Sequence, residues 1–188
     1  TPKLIGSLHL DWSRKDGPVS VEAHVFPTLV PLEHPLAAVR REYNAVFVKA
    51  SSAADLMFYG KGAGPGPTAS AVVGDLFMLS RDLLGGLPAR RPTALRASVS
   101  SVDRSEAPYY LRLHAQDRPG VLARIASTLA ERSISIATIH QSERKTAKGV
   151  PIVLTTHPTS HGAFRVALRR ALALPSVSRA YTAMRILP

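Results

Sequence analysis

A chain of 188 residues, 45% hydrophobic and 20% charged, is long enough to bury a core as one ordinary domain or two small ones, and its composition excludes disordered, collagen-like and coiled-coil classes. The absence of cysteine removes disulfide frameworks, thiolate zinc sites and thiol nucleophiles together, and no apolar run nears the eighteen or so residues that a membrane helix needs. A surplus of 24 basic over 13 acidic side chains leaves a net charge of +11, and residues 108–188 hold 12 of the basic and only 3 of the acidic groups.

The opening residues, Thr1-Pro2-Lys3-Leu4, carry no signal-peptide pattern. Because Leu4 to Leu10 already alternates as a strand, the chain is expected to begin inside a folded unit; with no cysteine, a cytoplasmic location is expected. Leu4, Leu8 and Leu10, then Asp16-Gly17, then Val19, Val21, Ala23 and Val25 read as a β-hairpin about an Asp-Gly turn. After Pro27, Pro31 and Pro35, two more short strands are predicted at Tyr43 to Lys49 and Asp55 to Tyr59, which makes the first sixty residues an antiparallel meander. A glycine-rich stretch follows, and from Thr68 to Leu84 the residues Ala69, Val72, Val73, Leu76, Leu79 and Leu83 recur at helical spacing, with Pro67 suited to the first turn. Gly85-Gly86 ends that helix, and residues 85–107 have the Pro, Arg and Ser composition of a linker.

Beyond the linker the pattern becomes βαββαβ. A strand over Tyr109 to Ala115, a helix from about Pro119 to Glu131 and strands at Ile134 to Gln141 and Val150 to Thr156 come first. A second helix with Phe164, Ala167, Leu168, Ala171 and Leu172 on one face precedes a last strand from Val177 to Ile186. This order packs two helices on one face of a four-stranded antiparallel sheet, the ferredoxin-like arrangement, so the chain as a whole is expected to be α+β.

The segment Gly60-Lys61-Gly62-Ala63-Gly64-Pro65-Gly66-Pro67 lies between a strand and a helix, where backbone amides are able to meet a phosphate. It is neither a dinucleotide-binding fingerprint, whose third glycine would fall on Pro65 or Pro67, nor a P-loop, since no Gly-Lys-Ser/Thr opens the helix. On spacing alone, tight strand–helix packing explains these glycines as well as ligand contact does. The full wording from Leu56 through Gly60-Lys61-Gly62-Ala63-Gly64-Pro65-Gly66-Pro67-Thr68-Ala69 to Gly74-Asp75-Leu76 resembles a signature of homoserine dehydrogenases, as do Pro27-Thr28-Leu29-Val30-Pro31, His34-Pro35-Leu36 and Asn44-Ala45-Val46 upstream. That resemblance covers most of residues 1–84. It implies an enzyme that interconverts aspartate semialdehyde and homoserine with NAD(P), on the route to threonine and methionine. It further implies that residues 1–84 end the catalytic and dimerisation region, that Gly64 lies beside the cofactor, and that Thr68 either contacts it or caps the helix. The family's dinucleotide-binding unit and catalytic lysine lie upstream of residue 1, so this chain alone is expected to hold no cofactor and to be inactive, with Lys3 and Lys61 taking no catalytic part.

The run Leu111-Arg112-Leu113-His114-Ala115-Gln116-Asp117-Arg118-Pro119-Gly120-Val121-Leu122 resembles the opening of ACT domains, the amino-acid-sensing modules of biosynthetic enzymes, and Ile134-Ser135-Ile136 with Ile139-His140-Gln141 continues the likeness over 108–188. Gly120 allows close backbone approach, while the first-turn amides of the helix favour an α-carboxylate. Asp117 suits an α-amine or a helix cap, and Arg118 a ligand carboxylate or solvent. The resemblance implies an effector site at Asp117, Arg118, Pro119, Gly120, Val121 and Leu122, threonine as the effector, and assembly into a homo-oligomer. Ser135 stands where ligand-binding ACT domains often carry Asn, which leaves a purely dimerising or amino-acid-binding module as the alternative.

Other chemistries lack support. His157 and His161 are separated by Pro158, no His-Glu-x-x-His occurs, and no Gly-x-Ser-x-Gly elbow is present. Of the 24 basic residues 18 are Arg, scattered along the chain, and the aromatics Tyr109, Tyr110, Phe164 and Tyr181 form no RNA-recognition pattern, so nucleic acid is not an expected partner.

Overall fold

The structure is a computed structural model that describes residues 1–12, 18–50, 52–86, 97–142, 146–147 and 149–188. The chain forms two compact units, Thr1–Pro31 with Leu95–Pro188, and Leu32–Ala94.

In the first unit β1 (Pro2–Asp11) and β2 (Val19–Leu29) pair antiparallel, Pro2 opposite Leu29 and Asp11 opposite Ser20. The expected Asp16-Gly17 turn lies outside the described residues. The C-terminal half of this unit contains β7 (Tyr109–Ala115), α2 (Val121–Ala130), β8 (Ile136–Gln141), β9 (Val150–Thr156), α3 (His161–Leu172) and β11 (Thr182–Ile186), the predicted βαββαβ order. Their sheet runs β11-β7-β9-β8, all neighbours antiparallel. Alternation of Tyr109, Leu111 and Leu113 on β7 and of Val150, Ile152 and Leu154 on β9 turns one face inward, where Val121, Ile125 and Leu129 of α2 and Phe164, Ala167 and Ala171 of α3 close over it. Tyr109 stacks on Phe164 at 3.9 Å between ring centres.

The sheet does not stop at β11. Strand β2 pairs parallel to it, Thr28 opposite Arg185 and Leu29 opposite Ile186, and the Leu187 amide donates to the Leu29 carbonyl at 2.9 Å. At its other end β2 pairs parallel with β5 (Ala97–Val99), completing seven strands, while the short β6 (Glu106–Ala107) and β10 (Thr159–Ser160) pair with each other. The predicted meander is therefore corrected: the first hairpin joins the C-terminal sheet, and β2 has no pairing with the next strand. The physical reason is that β2 finds its second partner in β11, distant in sequence, and the prolines after it end the run.

The second unit holds β3 (Tyr43–Ala50) and β4 (Ala54–Lys61), a two-stranded antiparallel sheet with Tyr43 opposite Lys61, and α1 (Pro65–Leu84). Tyr43 and Tyr59 stack at 4.9 Å, nearly parallel, and His34, which caps the single turn Pro35–Ala38, packs edge-on against Phe47. Helix α1 starts three residues earlier than its periodicity suggested, because Pro65 takes the first helical position, where a missing N–H costs nothing. None of its residues is buried. Among the described residues no helix is long and apolar enough to cross a membrane.

Candidate functional site

Strand β7 ends at Ala115 and the chain turns through Gln116-Asp117-Arg118-Pro119-Gly120 into α2. Gly120 sits at the cap position with φ 83° and ψ −12°, the left-handed conformation that a residue with a Cβ adopts at a cost, and a side chain there would point into open space. No side chain caps this helix. Asp117 stands three residues before the cap, so the capping role open to it from the sequence is not the one the helix start uses.

The Val121 amide donates back to the Arg118 carbonyl at 3.3 Å and the Arg124 amide to the Gly120 carbonyl at 3.1 Å, whereas the Leu122 and Ala123 amides have no acceptor among the described residues. Such unsatisfied first-turn donors, reinforced by the helix dipole, are the backbone features that attract a carboxylate.

The turn borders a cavity of about 330 Å³ lined by Gln116, Asp117, Arg118, Pro119, Gly120, Val121, Leu122, Gln141 and Ile152. All six residues expected to meet an effector are thus brought together. Val121 and Ile152 give it a buried apolar floor, and the polar residues are exposed at its rim. Ligand pockets span roughly 300–1,000 Å³, so this one matches a molecule of amino-acid size. Sequence reasoning did not single out Gln116, Gln141 or Ile152 as site residues. Gln141 and Ile152 enter through β8 and β9, where they are direct partners across the ladder, and only the strand register reveals that. Ser135 is not among the lining residues.

The glycine loop lies in the other unit. Gly64 caps α1 with φ 115° and ψ 157°, a region of backbone space that is almost confined to glycine, so the turn itself requires this residue whatever lies beside it. A Cβ on Gly62 would stand 1.6 Å from Asn44 Nδ2 and 2.6 Å from its Cγ, so the exposed Asn44 side chain would have to turn aside. Around Gly60 and Gly66 space is open. Thr68 is at the fourth helical position, its amide donating to the Gly64 carbonyl at 3.2 Å, so it is exposed on the helix and does not cap it. Because Pro65 and Pro67 have no N–H, Gly66 supplies the one unpaired amide of the first three helical positions. Lys61 pairs with Glu42 at 3.8 Å and lies over Tyr43, a role in the local packing of the hairpin. No group of His, Asp or Glu suited to a metal ion occurs among the described residues.

A sheet with two helices on one face and an amino-acid-sized cavity at the first strand–helix turn defines an ACT-domain protein, and residues 109–175 match the ACT domain family. Residues 1–77 match the homoserine dehydrogenase family. Homoserine dehydrogenases of Mycobacterium tuberculosis (strain ATCC 25618 / H37Rv) and Corynebacterium glutamicum are 44% and 40% identical over 147 residues, covering 76% and 78% of this chain and 33% of each relative. A crystal structure of a homoserine dehydrogenase from Thiobacillus denitrificans, 34% identical, superposes with a TM-score of 0.81 over 99% of this chain and 42% of that one. The S. aureus enzyme at pH 7.0, 22% identical with a TM-score of 0.60, shares the fold. The chain carries the C-terminal region of the homoserine dehydrogenase family, and it spans about a third of the length of the relatives it matches.

Proposed function

We propose that this chain belongs to an oxidoreductase that interconverts aspartate 4-semialdehyde and homoserine with NAD(P) in the cytoplasm, and that its ACT domain is a feedback site for an amino acid, threonine first. The observation that carries the regulatory half is the cavity at Gln116–Leu122, which offers each group of an amino acid a counterpart: Asp117 for the α-amine, Arg118 and the Leu122 and Ala123 amides for the α-carboxylate, and Val121 with Ile152 for a short side chain. Residues 1–84 act as the end of the catalytic and dimerisation region and 108–188 as regulatory domain; the stretch 85–107, expected as linker, is corrected in its second half, where β5 and β6 are paired strands of the first unit. In the intact enzyme Gly64 and Thr68 border the nicotinamide cofactor, and the large apolar side chains exposed on β1, β4 and α1, among them Leu4, Phe58 and Phe77, are covered by the rest of the enzyme and a second copy. The chain alone is inactive and binds no NAD(P).

Calorimetric titration of the chain with L-threonine tests the effector. Binding to the folded state at a hundred times Kd stabilises it by about 2.7 kcal/mol, which raises Tm by several degrees. Asp117→Asn is expected to weaken binding at least tenfold, read against the variant's own unliganded Tm. Absence of heat and of a Tm shift with threonine, methionine and isoleucine would reduce the ACT domain to an assembly module. NAD(P)-dependent homoserine oxidation by the intact enzyme, inhibited by threonine, and none by this chain, is the matching expectation for activity.

A further inference from the structure

Away from both glycine turns, the junction of β2 with β11 encloses a group of ionisable side chains that neither the cofactor nor the effector reading uses. Arg185 of β11 is 7% exposed. Its Nη2 donates to Ser105 Oγ at 2.6 Å and to the Glu106 carbonyl at 3.2 Å, and its Nη1 reaches His24 Nε2 of β2 at 3.1 Å. Its guanidinium also lies over the rings of Phe26 and Tyr109, 5.3 and 6.0 Å from their centres. A guanidinium only donates, so His24 Nε2 accepts, and the ring is the neutral tautomer with its proton on Nδ1. That atom is buried 3.3 Å from Glu22 Oε1, close enough for electrostatic attraction but without hydrogen-bond geometry.

A second histidine lies on the far side of Phe26. His161, the first residue of α3, packs on the Phe26 ring at 4.9 Å, and its Nδ1 is 3.0 Å from the Tyr109 hydroxyl. The buried cation thus faces two imidazoles, one from the hairpin and one from the ACT helix, with no carboxylate bonded to it among the described residues.

We propose that Glu22, His24 and Arg185, with His161 beside them, form a proton-operated clasp that holds the β1–β2 hairpin on the ACT sheet while the histidines are neutral and loosens it when they charge. With His24 protonated, Nε2–H and Nη1–H become two donors facing each other on two cations, and the bond across β2 and β11 is lost. The groups that face this centre are Glu22 on β2, Arg185 on β11, Tyr109 on β7, His161 and Arg165 on α3, and Asp103 on the turn before β6, while on β1 the residue opposite His24 is Ser7. Their balance keeps both rings neutral. His24 is held below the ordinary 6.5 by burial and then by Arg185, with Glu22 opposing, and His161 by burial and then by Arg185, with Asp103 opposing. Tyr109 is pushed above 10.0 by burial and stays neutral as well.

The sign follows from linkage. Where the clasp opens and the imidazoles regain the ordinary 6.5, the open form takes up protons that the closed form refuses. Closure is complete above pH 6.5 and is lost as pH falls from there through the lower folded values. Because β2 belongs to the residues 1–77 that match the dehydrogenase family and β11 pairs with β7, the first strand of the ACT match, the clasp lies at the edge where the two meet within one unit.

Hydrogen exchange of the full chain, followed by mass spectrometry from pH 7.5 to 5.5 and corrected for intrinsic rates, tests the clasp. Protection of β2 and of the end of β11 is expected to fall relative to β7 and β9, by up to about tenfold per pH unit for each histidine involved. His24→Gln, which keeps an acceptor near Nε2 but does not titrate, is expected to lose its share of that slope while remaining closed at pH 7.5. Arg185→Lys, which keeps the charge and loses the fork, is expected to be open at every pH. The proposal is overturned if β2 and β11 track β7 and β9 throughout, or if His24→Gln keeps the slope of the parent chain. Nitrogen NMR showing His24 titrating above 6.5 would overturn it independently.

Discussion

The ACT sheet with α2 and α3, and the unit formed by β3, β4 and α1, have equally clear apolar patterns and opposite degrees of closure. Leu111, Leu113, Ile125 and Leu154 are fully buried, whereas on α1 the helical stripe that includes Val72, Leu76, Leu79 and Leu83 faces solvent, Leu76 at 58% exposure. A 3.6-residue period therefore states that a helix has an apolar face and leaves open what covers it. The ACT half covers its own, and for α1 the cover has to come from outside the second unit's own residues.

The largest effect that sharpens this contrast comes from trimming one leucine on each side of it. Leu113→Ala empties a fully packed site and is expected to cost about 3 kcal/mol, within the range of core Leu-to-Ala changes. Leu76→Ala in the same chain is expected to change stability by less than about 0.5 kcal/mol, as exposed positions do. Denaturant melts of both variants check the pair. In the intact enzyme Leu76→Ala should become costly, and if it stays neutral there, the α1 stripe is not an interface.

The legibility of the sequence divides along the same line. The six elements of the βαββαβ order were readable because their signals are local: alternation over Tyr109–Ala115, the period of α2, the turn at Asp117–Gly120; the two-residue β10 was not foreseen, and the last strand starts at Thr182 instead of Val177. The six residues expected to meet an effector border one cavity because they are consecutive, running from the turn into the first residues of α2. Gln141 and Ile152 were not legible, since they reach the cavity only through the β8–β9 register. The union of β2 with β11 was also hidden. It joins Thr28 to Arg185, and no local pattern announces a partner so far along the chain. Arg185 and His24 were not singled out in the sequence, and only that pairing brings them 3.1 Å apart.

A smaller effect tests whether the open unit is loose everywhere. Gly62 is in contact with the Asn44 side chain so closely that any Cβ must displace it, while Gly60 two residues earlier has nothing nearby. Gly62→Ala is therefore expected to turn the exposed Asn44 side chain aside and to destabilise the β3–β4 hairpin by less than about 1 kcal/mol, and Gly60→Ala to be near neutral. The double variant Asn44→Ala with Gly62→Ala should recover most of the loss, a coupling read as non-additivity in local hydrogen exchange. Additive effects would mean that Asn44 does not hold the loop.

A last comparison sets side by side two helix starts that differ in how they are capped. At α3, Ser160 Oγ accepts the Ala163 amide at 3.3 Å, so Ser160→Ala removes one partner from an orphan donor and is expected to cost about 1 kcal/mol, measured as a drop in Tm. At α1 no side chain caps, and the start relies on Pro65 and on a backbone at Gly64 that glycine alone adopts with ease. Gly64→Ala should then cost about 1–3 kcal/mol of local strain even in this chain without cofactor. If Gly64→Ala leaves the α1 start unchanged in hydrogen exchange, and impairs only the intact enzyme, then the glycine is there for the ligand and not for the turn.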